Sequence, residues 1–281
     1  MLTDQDIKTL AKDYFFAAGR PDDVARFLRT LADCYDAREL ARTSVTLCNA
    51  LLCCERALPA PLRAPRDEVR AVPDGRHRIY RRVVEVLMGL ALEPEALSRL
   101  TVSPRAVREG VVDAWRAERD TGFQWRPDDI DERFRQAAAL ALAVQEEGYR
   151  GHEGEGGWAV VLTFETMMAL LPQSWPRRHR EGFLTWLAGP AGLLADRGDG
   201  MLQFAHMGLQ SYLSAWRLNV TTDSPESRIA AFCAHLDRPW WDTLAQWAAI
   251  IYDTNPPRIA HTLQALPPLP PLLESHLRLF R

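Results

Sequence analysis

Residues 193–204 contain two short apolar runs separated by the tetrad Arg-Gly-Asp-Gly at positions 197–200. Glycine and aspartate tolerate the left-handed backbone of a tight turn, so the stretch predicts a β-hairpin. Helical patterns dominate elsewhere, and this hairpin is the only convincing one that the sequence offers. A helix with His206 in its first turn follows at once, so the hairpin must feed directly into a helix.

Residues typical of helix N-termini occur at several other places in the chain. Thr3 with Asp4 and Asp6, Ser103 with Pro104, and Thr163 are typical of capped N-termini. Together with apolar residues at helical spacing, they predict helices near residues 3–18, 22–34, 36–57, 79–92, 94–100, 103–119, 127–147, 163–171, 177–188, 206–216, 225–236, 240–252 and 258–266. The fold class is therefore mainly α.

The order helix, helix, hairpin, helix over residues 163–216 is that of a winged-helix domain. Such domains often bind DNA, and the second helix carries Arg177, Arg178 and Arg180 in its first turn, where base contacts would form. Surface arginines without a ligand explain the same pattern nearly as well. DNA binding is therefore an alternative.

The charge balance gives DNA or membrane binding no general support. The formal net charge is −3, and the only lysines are Lys8 and Lys12. No secretion signal and no apolar run of about 20 residues is present, which excludes a transmembrane segment. Five cysteines without ligand spacing suit a reducing compartment, so a cytoplasmic location is expected.

The hairpin and the helix after it carry a motif: Phe204, His206, Gln210, Tyr212 and Ala215. This pattern resembles the winged-helix segment of NACHT-type STAND ATPases, signalling switches of immune receptors and bacterial defence proteins. The family's glutamate after the glutamine is Ser211 here. Weaker similarities extend the resemblance to about residues 2–253.

The resemblance implies both an architecture and a mechanism. The architecture is a NACHT-associated helical domain at 1–125, a winged helix at 126–218, and at 219–281 the start of a second helical domain with a proline-rich tail. In the mechanism, His206 contacts the β-phosphate of ADP bound to the ATPase core, and ATP exchange releases the contact and permits oligomerisation. Ser44 and Gln210 are then nucleotide-proximal.

Two features limit what this chain can do alone. Ser44 occupies the position of the family's adenine-packing proline. No Gly-x-x-x-x-Gly-Lys-Ser/Thr loop is present, and the glycine-rich residues 151–157 contain no lysine. We therefore expect no catalytic residue, no metal site and no ATPase activity, with ADP or ATP bound only together with an ATPase core supplied in cis or in trans.

The main hypothesis is thus a nucleotide-state sensing and oligomerisation switch without its own ATPase site. A winged-helix transcription regulator and a degenerate protein-interaction scaffold are the alternatives. Leu209, Leu213 and Trp216 are expected to hold the last helix of the winged helix to its domain, with His206 and Gln210 on an exposed face. A histidine that only caps the junction between wing and helix is the other interpretation.

Overall fold

The computed structural model describes residues 2–17, 21–33, 76–90, 130–151, 160–189, 191–254 and 256–265. Most of the described residues are helical, and the strands form one small antiparallel sheet. The mainly α fold class is confirmed. The predicted helices at 36–57, 94–100 and 103–119, Ser44 and the proline-rich tail lie outside the described residues.

The described helices are α1 Asp4–Ala17, α2 Asp23–Asp33, α3 Arg76–Leu90, α4 Ile130–Gly151, α5 Phe164–Leu170, α6 Arg177–Ala188, α7 Met207–Val220, α8 Pro225–Ala234, α9 Trp241–Thr254 and α10 Pro256–Ala265. The strands are β1 Val161–Thr163, β2 Leu194–Asp196 and β3 Met201–Phe204. No helix in the described ranges combines the length and the apolar character needed to cross a bilayer.

Side-chain caps explain where several helices begin. Thr3 Oγ1 accepts from the Asp6 amide at 3.2 Å, while Asp6 Oδ2 accepts from the Thr3 amide at 2.7 Å. This reciprocal pair is a capping box, and it satisfies backbone donors that a helix start leaves unpaired. Thr163 and Ser224 cap α5 and α8 through one such hydrogen bond each. In both cases the hydroxyl accepts from the amide three residues further along, at 3.1 Å.

The predicted hairpin is confirmed, and a third strand accompanies it. The strand order is β1-β3-β2, so β3 is the central strand. β1 pairs with β3 in antiparallel register, with Val161 opposite Gln203 and Thr163 opposite Met201. Strand β1 was not predicted, because three residues at the start of a helical pattern carry no recognisable alternation.

The chain forms two compact units. The first comprises the described residues of Met1–Ile130 together with Pro176–Leu194. Its buried aromatic residues include Phe15 and Phe27, whose ring centroids lie 5.7 Å apart between α1 and α2. Phe183 and Trp186 of α6 stack at 5.9 Å and are also buried in this unit.

The second unit comprises Asp131–Trp175 and Ala195–Arg281. Helix α7 packs most extensively on α9, and α9 also packs on α8 and α10. Their shared core consists of buried apolar side chains: Ala215, Leu218, Phe232, Trp240, Leu244, Trp247, Ala248, Ile251, Ile259 and Leu263. The division into domains at 1–125, 126–218 and 219–281 stays a prediction.

Candidate functional site

The turn of the hairpin is built from left-handed residues. Gly198, Asp199 and Gly200 have φ values of 86°, 52° and 72°. The Arg197 amide donates to the Met201 carbonyl at 2.8 Å, and Asp196 Oδ1 accepts from the Gly198 amide at 2.8 Å. Glycine adopts this backbone without penalty, and aspartate is among the residues that tolerate it best. The sequence RGDG therefore closes the hairpin and fixes the direction in which β3 leaves it.

Strand β3 delivers His206 to the N-terminus of α7. His206 is the N-cap residue, with an extended backbone at φ −143° and ψ 122°. Its Nδ1 accepts from the Gly208 amide at 3.1 Å, and its carbonyl accepts from the amides of Leu209 and Gln210. The imidazole thus satisfies one of the amides that a helix start leaves without a backbone partner.

This cap determines the protonation state of the ring. Nδ1 can accept a hydrogen bond only when it carries no proton, so the neutral tautomer has its proton on Nε2. Burial of the half-buried ring lowers the pKa of His206 from its ordinary value of 6.5, while the carboxylate of Asp242 raises it. Burial is the larger effect, so His206 is mostly neutral near neutral pH.

The expectation that His206 and Gln210 lie on an exposed face at the start of α7 is wrong. Gln210 is buried at 8% exposure, and His206 is half-buried rather than exposed. Leu209 and Leu213 are buried as expected, but so are Tyr212, Ser214 and Ala215, so α7 is covered around most of its circumference. An amphipathic pattern identifies one buried face; it does not report a second element that covers the other.

Trp216 marks the side of α7 that meets α4. Its ring lies edge-on to that of Phe134, with centroids 4.7 Å apart. The prediction that Trp216 holds α7 against its domain is therefore supported by a named contact. Aromatic pairs of this geometry add roughly 0.5–1.5 kcal/mol beyond the apolar area that they bury.

The three arginines of the DNA-binding alternative lie in the first turn of α6. Arg177 and Arg178 are exposed, and Arg180 is half-buried. Arg177 Nε lies 2.8 Å from Glu181 Oε1, so the Arg177 guanidinium is paired with a carboxylate one turn along the same helix. At the tip of the hairpin, Asp196 and Asp199 outnumber Arg197 in charge. This pairing and this acidic tip weaken the attraction of a phosphate backbone.

The lysines lie where no phosphate loop can form around them. Lys8 and Lys12 are exposed residues in the middle of α1, with helical residues on both sides. A phosphate-binding lysine needs a loop whose amides surround the phosphates, and the interior of a helix has its amides already bonded.

Buried polar side chains between helices were not anticipated from the sequence. Thr243 of α9, at 1% exposure, exchanges hydrogen bonds with the half-buried Gln145 of α4 at 2.9 and 3.1 Å. Ser214 Oγ and Gln246 Oε1 are buried atoms without a hydrogen-bond partner in the described part of the chain. The burial of these side chains depends on the packing of helices that are distant in sequence, so the sequence alone does not reveal it.

An arginine packed against aromatic rings was missed for the same reason. The Arg238 guanidinium lies 4.6 Å from the centroid of the Trp240 ring and 5.8 Å from that of Tyr149. His235 is a further neighbour of Trp240, at 5.8 Å between ring centroids. The loop before α9 is thereby attached to the C-terminal part of α4 by cation–π and ring contacts.

Comparison with known proteins identifies no relative. No family model matches the sequence. No curated protein and no solved structure matches the chain either.

Proposed function

We propose that this chain is the regulatory portion of a NACHT-type STAND switch, related to signalling or defence, that senses the nucleotide state of an ATPase core supplied in cis or in trans. The observation that carries the proposal is the path from the β-hairpin through Ala205 to His206 at the N-cap of α7. The N-terminus of a helix favours anions because its amides and its dipole point toward them.

His206 acts in this proposal as a neutral hydrogen-bond donor. With Nδ1 occupied by the Gly208 amide, the proton on Nε2 is the donor that a phosphate oxygen would take. The cap also fixes the orientation of the ring relative to α7. Asp242 opposes anion binding by its charge, so the hydrogen bond from Nε2 has to contribute more than the repulsion costs.

The order of the elements supports the same proposal. Helices α4, α5 and α6 precede the hairpin and α7 follows it, and β1 ahead of α5 extends the hairpin to three strands. The proposal interprets this order as a winged helix in which the hairpin is the wing. The chain has no catalytic residue and no cofactor of its own, and it works in the cytoplasm by binding ADP or ATP only jointly with the core. Ser44 and Gln210 are the further nucleotide-proximal positions, and homo-oligomers form through the core.

The test is ADP binding by the reconstituted complex. We expect a Walker A motif to be encoded in frame upstream or in a neighbouring gene, and the core that carries it would be co-purified with this chain. His206→Ala should weaken ADP binding about tenfold or more, because a hydrogen bond to a charged group is worth about 1.5–3 kcal/mol. ADP affinity that stays unchanged in the His206→Ala complex contradicts the proposal.

Two control variants separate the alternatives. His206→Asn retains a side chain that can cap α7 but lacks the imidazole, so it should lose ADP affinity as His206→Ala does. If His206→Asn binds ADP normally, the residue acts only by holding the helix start, and sensing by its imidazole is refuted. Arg178→Ala removes an exposed charge of α6 and should leave ADP binding intact, whereas a DNA-binding regulator would lose affinity for duplex DNA.

A further inference from the structure

His206 lies between β3 and α7, and its cap on α7 requires that Nδ1 carries no proton. The Gly208 amide donates to Nδ1 at 3.1 Å, which requires the lone pair of that nitrogen. A proton on Nδ1 would place an N–H donor opposite another N–H donor. The imidazolium form therefore cannot make the hydrogen bond that caps α7.

We propose that His206 is a proton-sensitive cap, which holds the first turn of α7 when the imidazole is neutral and releases it when the imidazole is protonated. The inference needs no nucleotide and stands apart from the proposed function. Loss of this cap leaves the Gly208 amide without its acceptor and weakens the first turn of α7.

Among the described residues, Asp242 is the charged group that shifts the pKa of His206. The side chains of β3 carry no charge, and α7 itself has only Arg217, in its last turn. Helix α9 contributes Asp242 in its first turn, whose negative charge favours the protonated ring. Asp253 lies toward the other end of α9.

Helix α4 and strand β1 also contact α7 and β3. Helix α4 meets α7 through Phe134 at Trp216, nearly three turns along from His206 at about 3.6 residues per turn. Further along, Gln145 of α4 bonds to Thr243 of α9 and is followed by Glu146 and Glu147, but Asp242 is the charge that shifts the pKa of His206. Thr163 of β1 lies opposite Met201, so Glu165 and the charges of the hairpin turn lie toward the far end of β3.

The direction of the pH effect follows from burial. Burial lowers the pKa of His206 below 6.5, its ordinary value, and the charge of Asp242 offsets this in part. Because the folded pKa lies below the unfolded one, the unfolded state takes up a proton first as the pH falls. The cap therefore stabilises fully above about pH 6.5, and its contribution is lost as the pH falls through the folded pKa.

The experiment measures hydrogen exchange of the Gly208 amide in the full chain, corrected for the intrinsic pH dependence of exchange. Between about pH 7.5 and about pH 5, its protection should fall about tenfold as the ring titrates. Asp242→Asn removes the charge that favours protonation, so the same loss should occur at lower pH.

Two histidine variants complete the test. His206→Asn supplies a cap that does not titrate in this range, so its protection should be independent of pH. His261→Asn removes an exposed histidine of α10 and should behave as the native chain. The proposal is overturned if His206→Asn loses protection in acid as the native chain does, or if native protection stays constant across the range.

Discussion

Replacing Thr243 by valine should destabilise the second unit by about 1–3 kcal/mol. The Thr243 hydroxyl, at 1% exposure, makes two hydrogen bonds to the Gln145 amide, at 2.9 and 3.1 Å. A neutral hydrogen bond contributes about 0.5–1.5 kcal/mol net, and two of them give the range stated. Valine has nearly the size of threonine, so the change removes the hydroxyl without opening a large cavity.

A double-mutant cycle isolates this contact. Gln145→Leu alone leaves the buried Thr243 hydroxyl without its partner, whereas the variant with both changes leaves no unpaired group. We therefore expect the double variant to be more stable than the sum of the single changes predicts, by at least about 1 kcal/mol.

Chemical unfolding by urea, followed by circular dichroism, provides the free energies. Thr185→Val is the matched control, since among the described residues this exposed hydroxyl bonds only to the Glu181 carbonyl of its own helix. Its effect should stay within about 0.5 kcal/mol. A coupling energy below about 0.3 kcal/mol would show that α4 and α9 are not held together by this pair.

Two further changes test local features by the same unfolding measurement. Thr163→Ala should cost about 1 kcal/mol because the amide of Thr166 loses its cap, while Thr163→Ser should restore most of it; equal stabilities of the two variants would contradict the capping role. Ser214→Ala should leave the protein as stable or stabilise it by up to about 1 kcal/mol, because it deletes a buried hydroxyl that has no partner in the described residues. A loss of more than about 1 kcal/mol would mean that this hydroxyl makes a stabilising hydrogen bond.

Features that depend on neighbours in sequence were predicted well. Helix α6 occupies Arg177–Ala188 as expected, and Thr163 caps α5 as expected. The hairpin was predicted because its turn requires left-handed residues, and glycine and aspartate at 198–200 supply them. In each case the signal and the structure that it predicts lie within a few residues of each other.

Features that depend on distant residues were not predictable in this way. β1 is a strand only because Met201–Gln203 offer it a partner, about 40 residues further along the chain. The burial of Gln210 and the influence of Asp242 on His206 both arise from packing around α7, which no periodicity reports. The sequence identified His206 as the candidate, but its capping geometry and its charge environment required the structure.

The assignment of Pro176–Leu194 to the first unit has a consequence for dissecting this protein. The polypeptide leaves the second unit after Trp175 and returns at Ala195, so that unit is discontinuous in sequence and no single cut can separate the two. A fragment ending near residue 130 lacks Phe183, Leu184 and Trp186, which are buried in the first unit. A fragment starting near residue 130 contains these three residues but lacks the rest of the first unit. The chain passes from one unit to the other three times, after Ile130, Trp175 and Leu194. Limited proteolysis at one of these junctions would leave the pieces associated, and complete separation of the two units would need a break at all three.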